Sequence, residues 1–106
     1  RSPRIGVVGR GDGLPDHVSH FPDLVALTAD PALSVLVEGG MGLAASLAAA
    51  DLVDTLMLMR APILIGAGRA LGDIGLAELP EAHGRWAAGA AMMLGPDRIE
   101  RYARTR

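Results

Sequence analysis

The sequence predicts an α/β fold whose mixed sheet is mainly parallel and ends in a C-terminal antiparallel hairpin. Three observations lead there. Apolar runs at 4–8, 34–37 and 56–65 have the length and β-branched content of strands. Stretches at 23–29 and 42–50 separate them and carry apolar residues at helical spacing. Residues 86–103 then read as two strands about a Gly95-Pro96-Asp97 turn. Strands that alternate with helices come to lie side by side in parallel. At 106 residues and 10.9 kDa the chain is bounded to a single domain, 1–106.

The elements follow in order. Residues 4–8 form a short strand that runs into Gly9-Arg10-Gly11-Asp12-Gly13, a turn or a phosphate-type loop. Residues 18–21 are a brief extended piece. Pro22-Asp23 opens a helix to Ala29, with Leu24, Leu27 and Val25 on its buried side. Asp30-Pro31 ends it, because the residue before proline avoids the α region. In 34–37, Val35, Leu36 and Val37 form an unbroken apolar run, the pattern of a strand covered on both faces. Alanine-rich 42–50 is a helix with Leu43, Leu47 and Ala50 in register. The run 56–65 is a strand with Pro62 inside it, which implies a bulge or an unpaired amide there. Four glycines make 66–75 mostly loop.

Composition excludes several functions. The formal net charge is −2, with 3 Arg against 6 acids in residues 1–53 and 7 Arg against 6 acids in 54–106. Neither half has the positive field a free-standing nucleic-acid binder needs, so no nucleic acid is expected as partner. No apolar run approaches the roughly 18 residues that span a bilayer, so no membrane partner is expected. Half the residues are apolar and mean hydropathy is +0.31, which excludes a disordered tail. Cys, Lys, Asn and Gln are absent. That removes disulfides, thiolate metal sites, a cysteine nucleophile, a P-loop lysine and Schiff-base chemistry. No signal-peptide pattern opens the chain, so a cytoplasmic protein is expected. Arg1-Ser2-Pro3 reads like the interior of a longer chain.

The strongest chemical signal is Val37-Glu38-Gly39-Gly40-Met41-Gly42-Leu43. A strand that delivers two glycines to a helix start leaves backbone N–H groups free, adds the positive end of the helix dipole and lets a ligand approach the main chain. A diphosphate suits such a site; a tight turn without a ligand is the alternative. Glu38 stands at the mouth of that junction, where a carboxylate either faces a ligand or is simply solvated. Arg10, between Gly9 and Gly11 at a strand end, is a candidate for an anionic group. Gly66-Ala67-Gly68-Arg69-Ala70-Leu71-Gly72 has the outline of a dinucleotide fingerprint, but neither a sustained helical period nor an acid-tipped strand follows it. Asp16, His17, His20 and Asp23 suit no helix face cleanly, with Pro15 and Pro22 breaking the stretch, so no metal site is expected.

Ser34-Val35-Leu36-Val37-Glu38-Gly39-Gly40, continued by 43–54, by Arg60-Ala61-Pro62-Ile63-Leu64-Ile65-Gly66 and by Gly68-Arg69-Ala70-Leu71, resembles the reductase domain of bacterial riboflavin-biosynthesis deaminase–reductases. The likeness is close over 34–72 and continues more weakly through Leu94-Gly95-Pro96-Asp97-Arg98. It implies a dihydrofolate reductase-like fold and an NADPH-dependent reduction of 5-amino-6-(5-phosphoribosylamino)uracil, a pyrimidine ribose-phosphate, to the ribitylamino product. It places Gly39, Gly40, Met41, Gly42 and Leu43 against the cofactor, and Glu38 near substrate and nicotinamide as the catalytic candidate. It assigns Gly9, Arg10 and Gly11 to the adenosine 2′-phosphate, where a guanidinium favours NADPH over NADH. It also implies a homodimer.

Two departures stand out. Position 41 is more often small and polar in the family, and the Met41 side chain cannot donate to phosphate. The chain also resembles only the second half of the domain, so a partial domain without the deaminase is expected. Other readings are a related reductase of a different small substrate, a fragment that only packs or dimerises, and a dinucleotide binder built on 66–72.

Overall fold

The computed structural model describes residues 2–32 and 34–106. Arg1, read above as internal to a longer chain, lies outside them. The architecture is mixed α/β, with two sheets, mostly strands, and short helices. Two compact units, Arg1–Val37 and Glu38–Arg106, divide the chain, and each is described by itself.

In the first unit, β1 (Ile5–Val8) pairs in parallel with β2 (Val18–Phe21), in the register Ile5↔Val18 to Val8↔Phe21. Parallel neighbours normally need a crossover of a dozen or more residues. Here 9–17 suffices, because Gly9 (φ 107°) and Gly13 (φ 72°) take left-handed turns that side chains resist. The brief extended piece is thus a full partner of β1. α1 (Leu24–Thr28) begins where the Asp23 carboxylate accepts from the Ala26 N–H at 2.8 Å. Leu24 and Leu27 are half-buried, but Val25 is 76% exposed and does not belong to the packed side. Beyond the helix, Asp30 accepts from the Arg4 guanidinium and from the Ala32 N–H.

The predicted strand at 34–37 is not formed. These residues are irregular and open to solvent, with Leu36 at 84% exposure. A strand exists only beside a neighbour that takes up its N–H and C=O groups. β1 and β2 satisfy each other, and among the described residues no segment pairs with 34–37. The apolar run signals burial but cannot supply the partner that burial requires.

The second unit opens with α2 (Met41–Ala49), whose N-cap is Gly40. Its residues Ala45 and Leu47 are the buried hydrophobics among the described residues. The helix ends in a Schellman motif: the Asp51 N–H donates to Ala48 O at 3.1 Å and the Leu52 N–H to Leu47 O at 3.0 Å. Asp51 occupies the left-handed position (φ 54°) that glycine usually fills.

β3 (Thr55–Arg60) stops short of the predicted 65. Its partner strand turns away opposite Arg60, and Pro62 brings no donor to prolong the ladder. Residues 61–65 therefore lie irregular and exposed, Leu64 at 97%. The glycine-rich 66–75 is loop, and a 3-10 turn at Leu79–Ala82 follows. β4 (Trp86–Ala88), β5 (Met92–Leu94) and β6 (Asp97–Arg104) complete the chain. β6 is the centre of this sheet. β3 pairs along one edge of it, and β4 and β5 share the other. The expected hairpin is present as β5–β6 about Gly95. β4 extends the same edge across one extra residue at 89–91, a bulge where the Gly89 N–H donates to Arg101 O at 2.8 Å.

All three ladders of this sheet are antiparallel, so the mainly parallel sheet is corrected. Only β1–β2 is parallel among the described residues. Strand–helix alternation suggests parallel neighbours, but β3 finds its partner in β6, which arrives through a hairpin and runs the opposite way.

The pleat sorts side chains by face. Leu56, Leu58, Glu100 and Tyr102 share one face, where Glu100 accepts from Tyr102 Oη at 2.8 Å and Arg98 Nε at 3.1 Å. Met57, Met59, Ile99 and Met92 share the other, with Met59 70% exposed. At the end of β6, arginines grip the turn that follows α2. Arg104 Nε donates to Asp51 Oδ1 at 2.6 Å, and Arg106 donates to Asp54 Oδ1 at 2.6 Å and Asp51 O at 2.8 Å.

These contacts set a pH dependence. Hydrogen bonds from Arg104, then charge from Arg104 and Arg106, hold the Asp51 carboxyl below its usual range. Arg4 does the same for Asp30, and Tyr102 with Arg60 and Arg98 for Glu100. Folded values below unfolded ones add stability that is complete at neutral pH. It is lost as pH falls below about 4 through the folded values. Urea midpoints from about pH 7 to about pH 3 test this: Arg104→Ala should be less stable than the parent at neutral pH and lose less on acidification. Parallel curves for the two proteins would refute it.

Candidate functional site

From Glu38 to Leu43, the junction singled out in the sequence lies in the second unit. Gly40 is extended (φ −70°, ψ 166°) and its carbonyl accepts from the Ala44 N–H at 3.2 Å, so the helix starts at Met41. The first N–H groups of any helix lack intrahelical acceptors. No side chain caps this one, and among the described residues the Met41, Gly42 and Leu43 N–H groups have no partner. A Cβ built at Gly40 or Gly42 would meet nothing within 4 Å. The helix start is therefore open rather than plugged.

Leu43 has a different task. Its side chain folds back so that a Cβ at Gly39 would lie 3.1 Å from Leu43 Cδ2. This contact explains a small residue at 39, while the open space at 40 and 42 suits a ligand. Met41 is 40% exposed and offers its amide but no side-chain donor. Glu38, just before the glycine pair, is exposed and joins no ion pair among the described residues.

Gly9, Arg10 and Gly11 lie in the first unit, in the loop after β1. The Gly9 N–H donates to Phe21 O at 2.9 Å. His20 Nε2 is 2.5 Å from Gly9 O, and Arg10 is exposed between two braced glycines. The structure thus groups Glu38 to Leu43 at one helix start and Gly9 to Gly11 on one loop.

The other glycine run, 66–72, leads into no helix, which removes the dinucleotide-fingerprint reading. A Cβ at Gly72 would sit 3.4 Å from Ala45 Cβ, so this glycine lets the loop lie close against α2. Among the described residues no three metal-ligating side chains converge, and no helix is long and apolar enough to cross a membrane.

Sequence reasoning did not single out the Asp51–Arg104–Arg106 clamp, and it weighed His20 only as a metal ligand. Both depend on register. Nothing local marks a residue that meets another 53 positions away, and the β1–β2 pairing that sets His20 beside Gly9 follows from no motif.

The site is thus an open, uncapped helix start behind Glu38-Gly39-Gly40 in a mixed α/β chain. The chain belongs to the RibD C-terminal domain family, whose model matches residues 14–88. This is the reductase domain of the riboflavin-biosynthesis deaminase–reductases, an oxidoreductase family, as the resemblance over 34–72 implies. No curated protein matches the chain.

Proposed function

We propose that this chain is the cofactor-binding part of an NADPH-dependent reductase of riboflavin biosynthesis. Its fold is dihydrofolate reductase-like, and its substrate is 5-amino-6-(5-phosphoribosylamino)uracil. Family membership supports the reductase chemistry and the pathway. The observation that carries cofactor binding is the start of α2, where three unpartnered amides and two glycines without neighbours fit a nucleotide diphosphate.

The chain's own residues then divide the work. The Met41, Gly42 and Leu43 N–H groups hold the diphosphate, and Gly40 and Gly42 leave it room. Glu38 lies on the exposed approach and orients the substrate through its carboxylate. Arg10 meets the 2′-phosphate. The nicotinamide, when bound, supplies the hydride for the sugar carbon. The protein adds position and a preorganised field, which are the usual contributions of a cofactor enzyme.

Fluorescence titration of the purified protein tests the reading. NADPH should bind more tightly than NADH, and Arg10→Ala should weaken NADPH by roughly tenfold while leaving NADH unchanged, the value of one charge-assisted contact. A protein that binds neither nucleotide would end the assignment.

A further inference from the structure

We propose that His20 is a positioning residue that fixes the Arg10 loop in the shape needed to receive the 2′-phosphate of the cofactor. This rests on the assignment of Gly9 to Gly11 just made. Three observations carry it. Both polar main-chain groups of Gly9 are engaged by adjacent residues of β2: its N–H donates to Phe21 O at 2.9 Å and its carbonyl lies 2.5 Å from His20 Nε2. The imidazole also closes on Gly11, where a Cβ would come within 2.6 Å of ring atoms Cδ2 and Nε2. Arg10 lies between these two braced glycines, exposed and in no ion pair among the described residues.

The braces lie in the main chain on either side of Arg10. The ring therefore acts on where the guanidinium starts from, not on the anion directly. Gly9 is held at φ 107°, and the hydrogen bond to its carbonyl keeps that peptide from rotating. Without the ring, Gly9 and Gly11 regain the freedom that glycine has in an unbraced loop. Binding the 2′-phosphate would then include the cost of ordering the loop. NADH has no such phosphate and would not register the change. His20 is thus a determinant of nucleotide preference that never touches the nucleotide.

The experiment compares the parent with His20→Ala, His20→Gln and Arg10→Ala, titrating each with NADPH and NADH. Amide hydrogen exchange at Gly9 is followed without cofactor. His20→Ala should weaken NADPH about five- to tenfold with NADH unchanged, and should speed exchange at Gly9, whose N–H is hydrogen-bonded to Phe21 O. His20→Gln, whose amide N–H can donate to the same carbonyl, should recover most of both. If His20→Ala keeps the parental preference while Arg10→Ala loses it, the loop assignment stands and the role of His20 is refuted. If Arg10→Ala also keeps the preference, the loop assignment fails and the proposal with it.

Discussion

Gly42→Asp is expected to leave the protein folded, and slightly more stable, while abolishing cofactor binding. Position 42 is the second residue of α2, and a Cβ there meets nothing within 4 Å. Steric strain is therefore excluded. A carboxylate in a first helical turn interacts well with the dipole, by about 0.3–1 kcal/mol, and replacing a helical glycine recovers a few tenths more. The same carboxylate lies where a diphosphate would be received. Like charges brought together at a binding site cost several kcal/mol, so NADPH affinity should fall at least ~100-fold, or ~2.7 kcal/mol. Thermal melts and nucleotide titration on one preparation give both answers. Unchanged affinity would show that the helix start is not where the nucleotide sits. Gly42→Ala is the control: it adds the methyl without the charge and should bind close to normally.

Leu47→Ala is expected to have the largest effect on stability of any single truncation in the second unit. Leu47 is 6% exposed, and among the described residues Ala45 is the other buried apolar one. Truncating a buried leucine costs roughly 2–5 kcal/mol, the transfer energy of the lost carbons plus the cavity left behind. Domains of this size are stable by only about 5–15 kcal/mol. Most of the other large apolar side chains here are substantially exposed, so little burial remains elsewhere in the unit to compensate. Met59→Ala, at a side chain 70% exposed, should change the urea midpoint very little. Similar losses for the two variants would mean that the burial described here is not what holds the unit together.

Features encoded within a few neighbouring residues were readable in advance. α2 follows from its alanine-rich period and from the glycines before it, and its start differs from expectation by one residue. The β5–β6 hairpin follows from Gly95-Pro96, and α1 from Pro22-Asp23. The family follows from the combined pattern over 34–72, since no single motif within it is specific enough. Features that depend on distant partners were not readable. Val35, Leu36 and Val37 look like a buried strand, yet a strand is a property of two segments, and one segment's composition holds half the information. Strand direction failed for the same reason: β3 and β6 are far apart in sequence, and alternation with helices does not say which strand will be the neighbour. For the candidate site, the glycine pair could be read as a helix start, whereas the bracing of Gly9 and Gly11 by His20 needed the β1–β2 register.

The placement of β6 orders the assembly of the second unit in time. Every strand there hydrogen-bonds to β6, and its last residues also grip the turn behind α2. During synthesis β3 and β4 emerge with their edges unpaired and must wait for the final stretch of this sequence before either ladder can close. The β1–β2 ladder uses no later strand and can zip up as it leaves the ribosome. A nascent chain stalled just before Asp97 should therefore carry an ordered first unit and a second that proteases still cleave freely.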